Sequence, residues 1–379
     1  MVSGTISLNR MEKHKFFQIL PFLFIFITIG NFLFHTYNYR QDIFAKFDAR
    51  YWENRYLESQ WVVPVSKNPV GDDGLYAYVG YAYMQGKDPT LLNAQLPPFG
   101  KYLVGLFEIT TGTMGAFSLF FTGLSLVLFF LFTKISFKSN LLASVTTLAF
   151  SFEPLVIEQM RAPYLDTLYL SLFLLSSIFF VRKNYLLCGI STGLFMSVKS
   201  PFLGGLVLLV YALCLYMTKQ KYIKHIFTIG LATAFAYMCT YARIFFIGHN
   251  LIYFLQVQKY ILHFYTIGAK GVIGAIFPMI LQGKWPTWFG PTLYVTEWTW
   301  IWPLSFIATI GALIFWVKTR DSTTSIVFHF VWLIGYMLFL IFTPIFPRYL
   351  LLLLPFLYNL TIWVFLKSMQ KKYPWVLPS

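Results

Sequence analysis

The chain has 379 residues, 58% of them hydrophobic and 21% aromatic, with only 11% charged. Soluble domains carry about 25% charge, so a soluble globular or disordered chain is excluded and a polytopic membrane protein is expected, with one membrane domain over residues 1–379. The formal net charge of +15 is scattered among apolar segments, which argues for topology signals and phosphate partners and against a nucleic-acid partner.

Arg10, Lys13 and Lys15 precede an apolar run over residues 16–34 that is long enough to span a bilayer. The run is long for a signal peptide and no small-x-small site follows it, so a retained helix is expected. Residues 35–112 form a first long loop, in which 35–101 hold seven of the fourteen acidic residues. A loop of that length without structure or function of its own is uncommon. Within it, residues 73–86 read as a short amphipathic helix. Asp72 or Asp73 would cap it, Tyr76, Val79, Gly80 and Tyr83 would share one face, and Gly86 would end it. A second short helix opens at Leu96-Pro97-Pro98-Phe99-Gly100-Lys101 and runs to Ile109.

Apolar spans follow at 113–133, 140–153, 165–181, 185–199, 201–217, 225–247, 299–317, 325–342 and 349–366. Several are shorter than about 20 residues, which implies tilt or burial within a bundle. Around Lys199-Ser200-Pro201, residues 185–217 read either as two helices or as one long kinked helix. Counting two helices gives ten spans. Fifteen of the 29 basic residues then fall in short cytoplasmic segments, at Arg10, Lys13, Lys15, Lys134, Lys138, Arg182, Lys183, Lys219, Lys221, Lys224, Lys318, Arg320, Lys367, Lys371 and Lys372. Only Glu12 and Asp321 accompany them. The positive-inside rule therefore favours ten spans with both termini cytoplasmic and both long loops, 35–112 and 248–298, outside. Cys188, Cys214 and Cys239 lie in apolar segments without close spacing, a pattern that fits neither a disulfide framework nor a zinc site.

Four polar groups recur at the outer ends of the spans. Asp72-Asp73 read either as a helix cap with a solvated neighbour or as a general base with its support. Arg161 and Asp166 flank the start of an apolar helix, as a snorkelling anchor and a cap or as a phosphate-binding Arg with a second carboxylate. Lys199 closes the apolar run from Gly193, and an ionisable residue in such a run suggests function unless it snorkels. Arg348, in Phe346-Pro347-Arg348-Tyr349, reads as an interfacial anchor or a phosphate ligand. In the second long loop, Gln258, His263 and Trp285 offer sugar-binding chemistry, although Trp-rich outer loops also lie at the interface for its own sake.

These stretches, taken together, resemble the GT-C glycosyltransferases, which include the dolichyl-phosphate-mannose protein mannosyltransferases and the aminoarabinose transferases that modify lipid A. Asp72-Asp73-Gly74-Leu75-Tyr76 is similar to their Asp-Glu-x-x-Tyr pattern. Gln95-Leu96-Pro97-Pro98-Phe99-Gly100-Lys101 is similar to their His-Pro-Pro-Leu-Gly-Lys element. Phe152-Glu153-Pro154-Leu155 through Arg161 and Leu165-Asp166 resembles their Asp-Pro-Leu…Ser-Arg…Leu-Asp segment. Gly193 through Lys199, Trp285-Pro286 and Pro347-Arg348-Tyr349 have counterparts in the same order. Asp73 departs from the usual Glu, Leu96 stands at their His, and the 248–298 loop cannot hold the β-trefoil domain of the mannosyltransferases.

The resemblance implies an all-α, GT-C-like bundle of about ten transmembrane helices with amphipathic helices in the first outer loop. It implies transfer of a sugar from an undecaprenyl- or dolichyl-phosphate donor to a protein, lipid or glycan acceptor at the outer face of a prokaryotic plasma membrane. Asp72, Asp73 and Asp166 would be the catalytic residues, with Asp72 as base. Arg161, Lys199, Arg348 and Lys101 would hold the donor phosphate, and Tyr76, Gln258, His263 and Trp285 the acceptor or sugar. No cofactor is required by this scheme, and the paired carboxylates leave room for a divalent cation. A transporter or flippase of polyprenyl-linked sugars is the alternative.

Overall fold

The computed structural model describes residues 3–220, 222–267, 271–320 and 322–370, with side chains left out for residues 3–17, 222, 267, 369 and 370. Lys221, Lys270, Asp321, Lys371 and Lys372 lie outside the described residues, as do the side chains of Arg10, Glu12, Lys13 and Lys15.

The chain is helical almost throughout. α1 (Ser3–Asn38) leads into the first long loop, which carries α2 (Arg40–Ile43), α3 (Ala49–Leu57), α4 (Asp72–Met84) and α5 (Phe99–Thr111). The bundle continues with α6 (Ala116–Phe137), α7 (Asn140–Ser151), α8 (Pro154–Gln159), α9 (Asp166–Val181), α10 (Tyr185–Met196), α11 (Pro201–Met217) and α12 (Tyr222–Cys239). α13 (Ala242–Phe246), α14 (Leu251–Ile267) and α15 (Ile276–Gln282) precede a small hairpin, β1 (Lys284–Trp285) with β2 (Leu293–Tyr294). α16 (Ile301–Thr319), α17 (Thr324–Phe342), a 3-10 turn (Pro347–Leu352) and α18 (Leu354–Gln370) complete it.

Each apolar run singled out in the sequence is helical. Among the described residues, four helical stretches, Gln18–Asn38, α6, α16 and α17, are long and apolar enough to cross a membrane alone. The protein is an integral, multi-pass membrane protein. The remaining apolar helices are shorter; α7, with 12 residues, rises only about 18 Å against a hydrocarbon core of about 30 Å. α7 is packed between α1 and α18 and beside α6, so neighbouring helices cover it.

Residues 185–217 form two helices. Ser200 is extended and its side chain accepts from Leu203 N–H, while Pro201 occupies the first turn of α11, where its missing N–H costs nothing. In lipid, helix association rests on close packing rather than on burial from water. α10 shows this: a Cβ on Gly189 or Gly193 would stand 2.5 Å from backbone oxygens of α12. α4 and α5 meet in the same way, and a Cβ on Gly105 would lie 2.1 Å from the carbonyl oxygen of Gly80.

α4 differs from its expected form. Its N-cap is Gly71, so Asp72 and Asp73 sit in the first turn and neither caps the helix. There they complement the positive end of the helix dipole. The helix is also buried on nearly every side instead of along one face, from Gly74 to Gly80 and again at Ala82 and Tyr83. α5 covers one side and α3 another, with the Trp52 ring lying against Gly74. The stop near Gly86 holds, with that residue at φ +88°.

Glu108, on α5, is 2% exposed and neither carboxylate oxygen has a hydrogen-bond partner. Burial pushes its pKa from 4.5 to about 10, so the folded protein holds a proton there that the unfolded chain releases. The stabilising contribution is complete below pH 4.5 and is lost progressively as pH rises toward 10. Thermal unfolding of detergent-solubilised protein should accordingly occur at falling temperature as pH rises over this window. Glu108→Gln should flatten that dependence; an unchanged pH profile in the variant would refute the assignment.

Candidate active site

Two helix first turns, one break between helices and one 3-10 turn bring four charged side chains together. Asp72 projects from the first turn of α4 and Asp166 from the first turn of α9. Lys199 lies in the break between α10 and α11, and Arg348 in the 3-10 turn before α18. The four alternate in sign. Lys199 Nζ donates to Asp166 Oδ1 at 2.7 Å, Arg348 Nη2 donates to Asp72 Oδ2, and Arg348 Nε stands 3.8 Å from Asp166 Oδ2. That last separation is too long for a hydrogen bond, and both atoms are buried without a partner.

The two carboxylates are unequally placed. The Asp166 side chain is 5% exposed and lies between two cations, whereas that of Asp72 is 27% exposed. Asp166 is therefore suited to orienting Lys199 and Arg348, and Asp72 to meeting an incoming group. The surrounding wall is aromatic. Lys199 Nζ lies 5.4 Å from the Tyr349 ring centre, and Tyr265 Oη donates to the Lys199 carbonyl at 2.9 Å. Tyr76 is fully buried beside the cluster; burial first, and then the Asp72 charge, raise its pKa well above the ordinary phenol value, which keeps it a hydrogen-bond donor.

The other residues singled out in the sequence lie elsewhere or have other work. Asp73 makes no ion pair among the described residues, and its Oδ1 folds back toward Gly71. Arg161 binds Asp42 through Nε and Nη2, at 3.0 and 2.8 Å, and Glu158 through Nη1 at 3.0 Å. With its side chain 37% exposed, that network ties the loop before α9 to α2 and is worth at most about 1 kcal/mol per pair. Lys101 is fully buried, and its Nζ donates to the carbonyl and Oδ1 of Asn93 and to the Leu96 carbonyl, which spends all three N–H bonds within the first loop. Glu153 is buried and accepts from Trp302 Nε1 at 2.9 Å and from the Tyr358 hydroxyl, a strut between helices.

Trp285 supports the site indirectly. Its Nε1 donates to the Ile345 carbonyl at 2.8 Å and its ring packs on Phe346, which fixes the turn that carries Arg348. Gln258 accepts from the Tyr237 hydroxyl at 2.6 Å, and its Nε2 has no partner. His263 is exposed on α14. Among the described residues no three His, Cys, Asp or Glu side chains gather at one point.

One further feature went unread in the sequence. A groove of about 740 Å³ opens between the end of α4, α5, α10, α12 and α13, lined by Phe99, Tyr102, Leu194, Phe235, Phe246 and Arg243. Phe235 and Phe246 face outward, so the groove opens to the side of the bundle. Its inner wall approaches the charged cluster: the Phe99 N–H donates to Ser197 O at 3.1 Å, two residues before Lys199. Arg243 donates to the Gly86 carbonyl at 2.7 Å. Arg243, a lone cation inside the apolar run 225–247, meets the same rule that marked Lys199, but the groove it lines leaves no trace in residue spacing.

No protein-family model matches the sequence, and comparison with curated proteins finds no match. Solved structures do match. ArnT from Cupriavidus metallidurans bound to undecaprenyl phosphate aligns over 91% of this chain, with a TM-score of 0.61 and 14% identity. The fold is similar to that of ArnT. The apo form of the same protein aligns over 92% of the chain with a TM-score of 0.57 and 14% identity. The chain spans 59% and 61% of the length of those two chains. The all-α membrane bundle expected from the sequence is thus similar in fold to a solved structure at 14% sequence identity.

Proposed function

We propose that this protein is a membrane glycosyltransferase that moves a sugar from a polyprenyl-phosphate donor, undecaprenyl or dolichyl, to a protein, lipid or glycan acceptor. One observation carries the reading: an Asp72–Arg348–Asp166–Lys199 chain, buried at Asp166 and Lys199 and more open at Asp72, with an unspent Arg348 N–H, in a fold similar to one solved with undecaprenyl phosphate. The prenyl tail lies in the groove between α5, α10, α12 and α13, and the phosphate meets Arg348 and Lys199. Arg348 engages Asp72. An arriving phosphate supplies competing oxygens, and Arg348 exchanges the carboxylate for them.

Asp72 then accepts the proton of the acceptor hydroxyl or amine as that atom attacks the anomeric carbon. The bond from that carbon to the phosphate oxygen breaks with inversion, and polyprenyl phosphate leaves with the electron pair. Arg348 and Lys199 stabilise the charge that grows on the leaving oxygen, a contribution of order 10²–10³ in rate. The scheme needs no metal, because these cations meet the phosphate. The site lies on the outer face of a prokaryotic plasma membrane, with both termini in the cytoplasm. The kind of sugar, mannose included, is set by contacts beyond this cluster.

Purified protein, given a polyprenyl-phosphate sugar and an acceptor extract, should release free polyprenyl phosphate, followed by thin-layer chromatography or mass spectrometry. A flippase or transporter would leave the donor intact while moving it between leaflets of a vesicle, and that result would displace this reading.

A further inference from the structure

A second cavity, of about 430 Å³, lies between the first long loop and α14 and takes no part in the scheme above. Its size falls within the range of about 300–1,000 Å³ common for small-molecule sites. Its chemistry is unusual for its surroundings. The first long loop is rich in carboxylates, yet no Asp, Glu, Lys, Arg or His lines the cavity. Aromatic surfaces come from Tyr56, Trp61 and Tyr260, and planar hydrogen-bonding groups from Asn93, Gln95 and Gln256.

Several of these groups are fixed before anything binds. Tyr56 is 8% exposed and stacks on Tyr78 with ring centres 4.7 Å apart. Asn93 is also 8% exposed and adopts φ +51°, a left-handed conformation that Asn tolerates better than most residues. Lys101 holds it there by donating to its carbonyl at 2.7 Å and to Oδ1 at 3.1 Å. With Oδ1 so engaged, the amide orientation is set, and Nδ2 remains buried without an acceptor. The immobilised amide gives the cavity wall a fixed polar residue. Leu75 joins the cavity wall to α4, three residues beyond Asp72, or about 4.5 Å along the helix.

From this lining we infer that the cavity is a binding site for an uncharged pyranose. The C–H face of a sugar ring packs on aromatic surfaces, and its hydroxyls both donate to and accept from side-chain amides. No charged side chain in the lining would pair with a phosphate or ammonium group. The ring belongs either to the acceptor glycan or to the sugar of the donor. This step rests on the transferase reading only for the sugar's origin, since the cavity's own binding chemistry is independent of catalysis.

The test begins with binding alone. Protein in nanodiscs is titrated with methyl mannoside, methyl glucoside and methyl galactoside, and with glucosamine and glucose 6-phosphate, and followed by saturation-transfer NMR. At least one neutral glycoside should give ring-proton transfer, and the charged sugars should give none. Gln95→Leu and Asn93→Gly, the latter chosen to keep the left-handed backbone, should each weaken that binding about three- to tenfold, as loss of one ligand hydrogen bond does. Gln256→Glu, on an exposed position, should admit glucosamine. Unfolding temperatures within a few degrees of wild type, measured alongside, show that the variants are folded.

Activity then separates the two origins. If the ring belongs to the acceptor, the variants raise KM for acceptor in transfer and leave acceptor-free donor hydrolysis unchanged. If it belongs to the donor, hydrolysis is affected equally. Absence of neutral-sugar binding to wild type, or binding that Gln95→Leu and Asn93→Gly leave unchanged, overturns the inference even where transferase activity is present. Intact sugar binding without any transferase activity overturns the transferase reading and leaves the cavity assignment standing.

Discussion

Asp72→Asn lowers the rate of sugar transfer by about 10²–10⁴, the range spanned by loss of a general base, while protein abundance and donor binding stay close to wild type. The substitution keeps the shape of the side chain and keeps an oxygen facing Arg348, so the turn before α18 retains its partner. What it removes is the ability to take a proton. Asp166 cannot stand in, because its side chain is 5% exposed and accepts from Lys199 at 2.7 Å. Asp166→Asn should instead disturb donor affinity as well as rate, since it loosens the two cations together. The measurement is an initial rate with saturating donor, paired with donor binding by a fluorescent polyprenyl-phosphate analogue. An Asp72→Asn enzyme within tenfold of the wild-type rate would remove Asp72 from the role of base.

Much of the site could be read before the fold was seen, for a physical reason. Charges in an apolar chain are costly, so each one that survives has a partner or a task. That logic singled out Asp72, Asp166, Lys199 and Arg348, and the four meet in space. It also singled out Arg161, and the family resemblance added Lys101; the partners of both were different. The partner of Arg161 is Asp42, 119 residues away, and Lys101 is satisfied by carbonyl oxygens that no side-chain pattern reveals. Trp285 was noted as a sugar-binding candidate, but its indole is spent on the Ile345 carbonyl. A tertiary hydrogen bond of that kind leaves no trace in residue spacing.

The bundle was legible to a similar depth. Apolar runs located the helices of the bundle, and Ser200-Pro201 carried both the cap and the first-turn proline that divide α10 from α11. The amphipathic reading of α4 failed because a one-sided pattern leaves the opposite face of the helix uncovered. In the fold α3 and α5 enclose it, and enclosure by neighbours depends on contacts distant in sequence. The apolar groove that Arg243 lines escaped notice for the same reason, being assembled from five separate helices.

Arg348→Lys should be nearly as damaging as loss of the base, despite keeping the charge. The guanidinium addresses Asp72 through Nη2 and keeps Nε free beside Asp166 Oδ2, 3.8 Å away. A lysine ammonium is a single point on a flexible stem and cannot serve both directions in a fixed plane. Under the exchange proposed above, the arginine releases Asp72 when phosphate oxygens arrive and retains contact with Asp166 throughout. Lysine would have to abandon one carboxylate to reach the other, or hold Asp72 and leave the phosphate unmet. The expected result is a fall of about 10²–10³ in kcat/KM, the scale of losing one preorganised donor at a developing anion. Donor KM should rise with it. Arg348→Ala goes further, because it strands Asp72 and Asp166 without their shared cation; such removal of one partner from a largely buried pair costs about 3–5 kcal/mol of stability. Steady-state kinetics on the Lys variant and thermal unfolding of both separate the two effects. If Arg348→Lys retains wild-type kcat/KM, the planar fork is dispensable and the phosphate is held elsewhere. Arg243, in the lining of the apolar groove, would then be the next cation to replace.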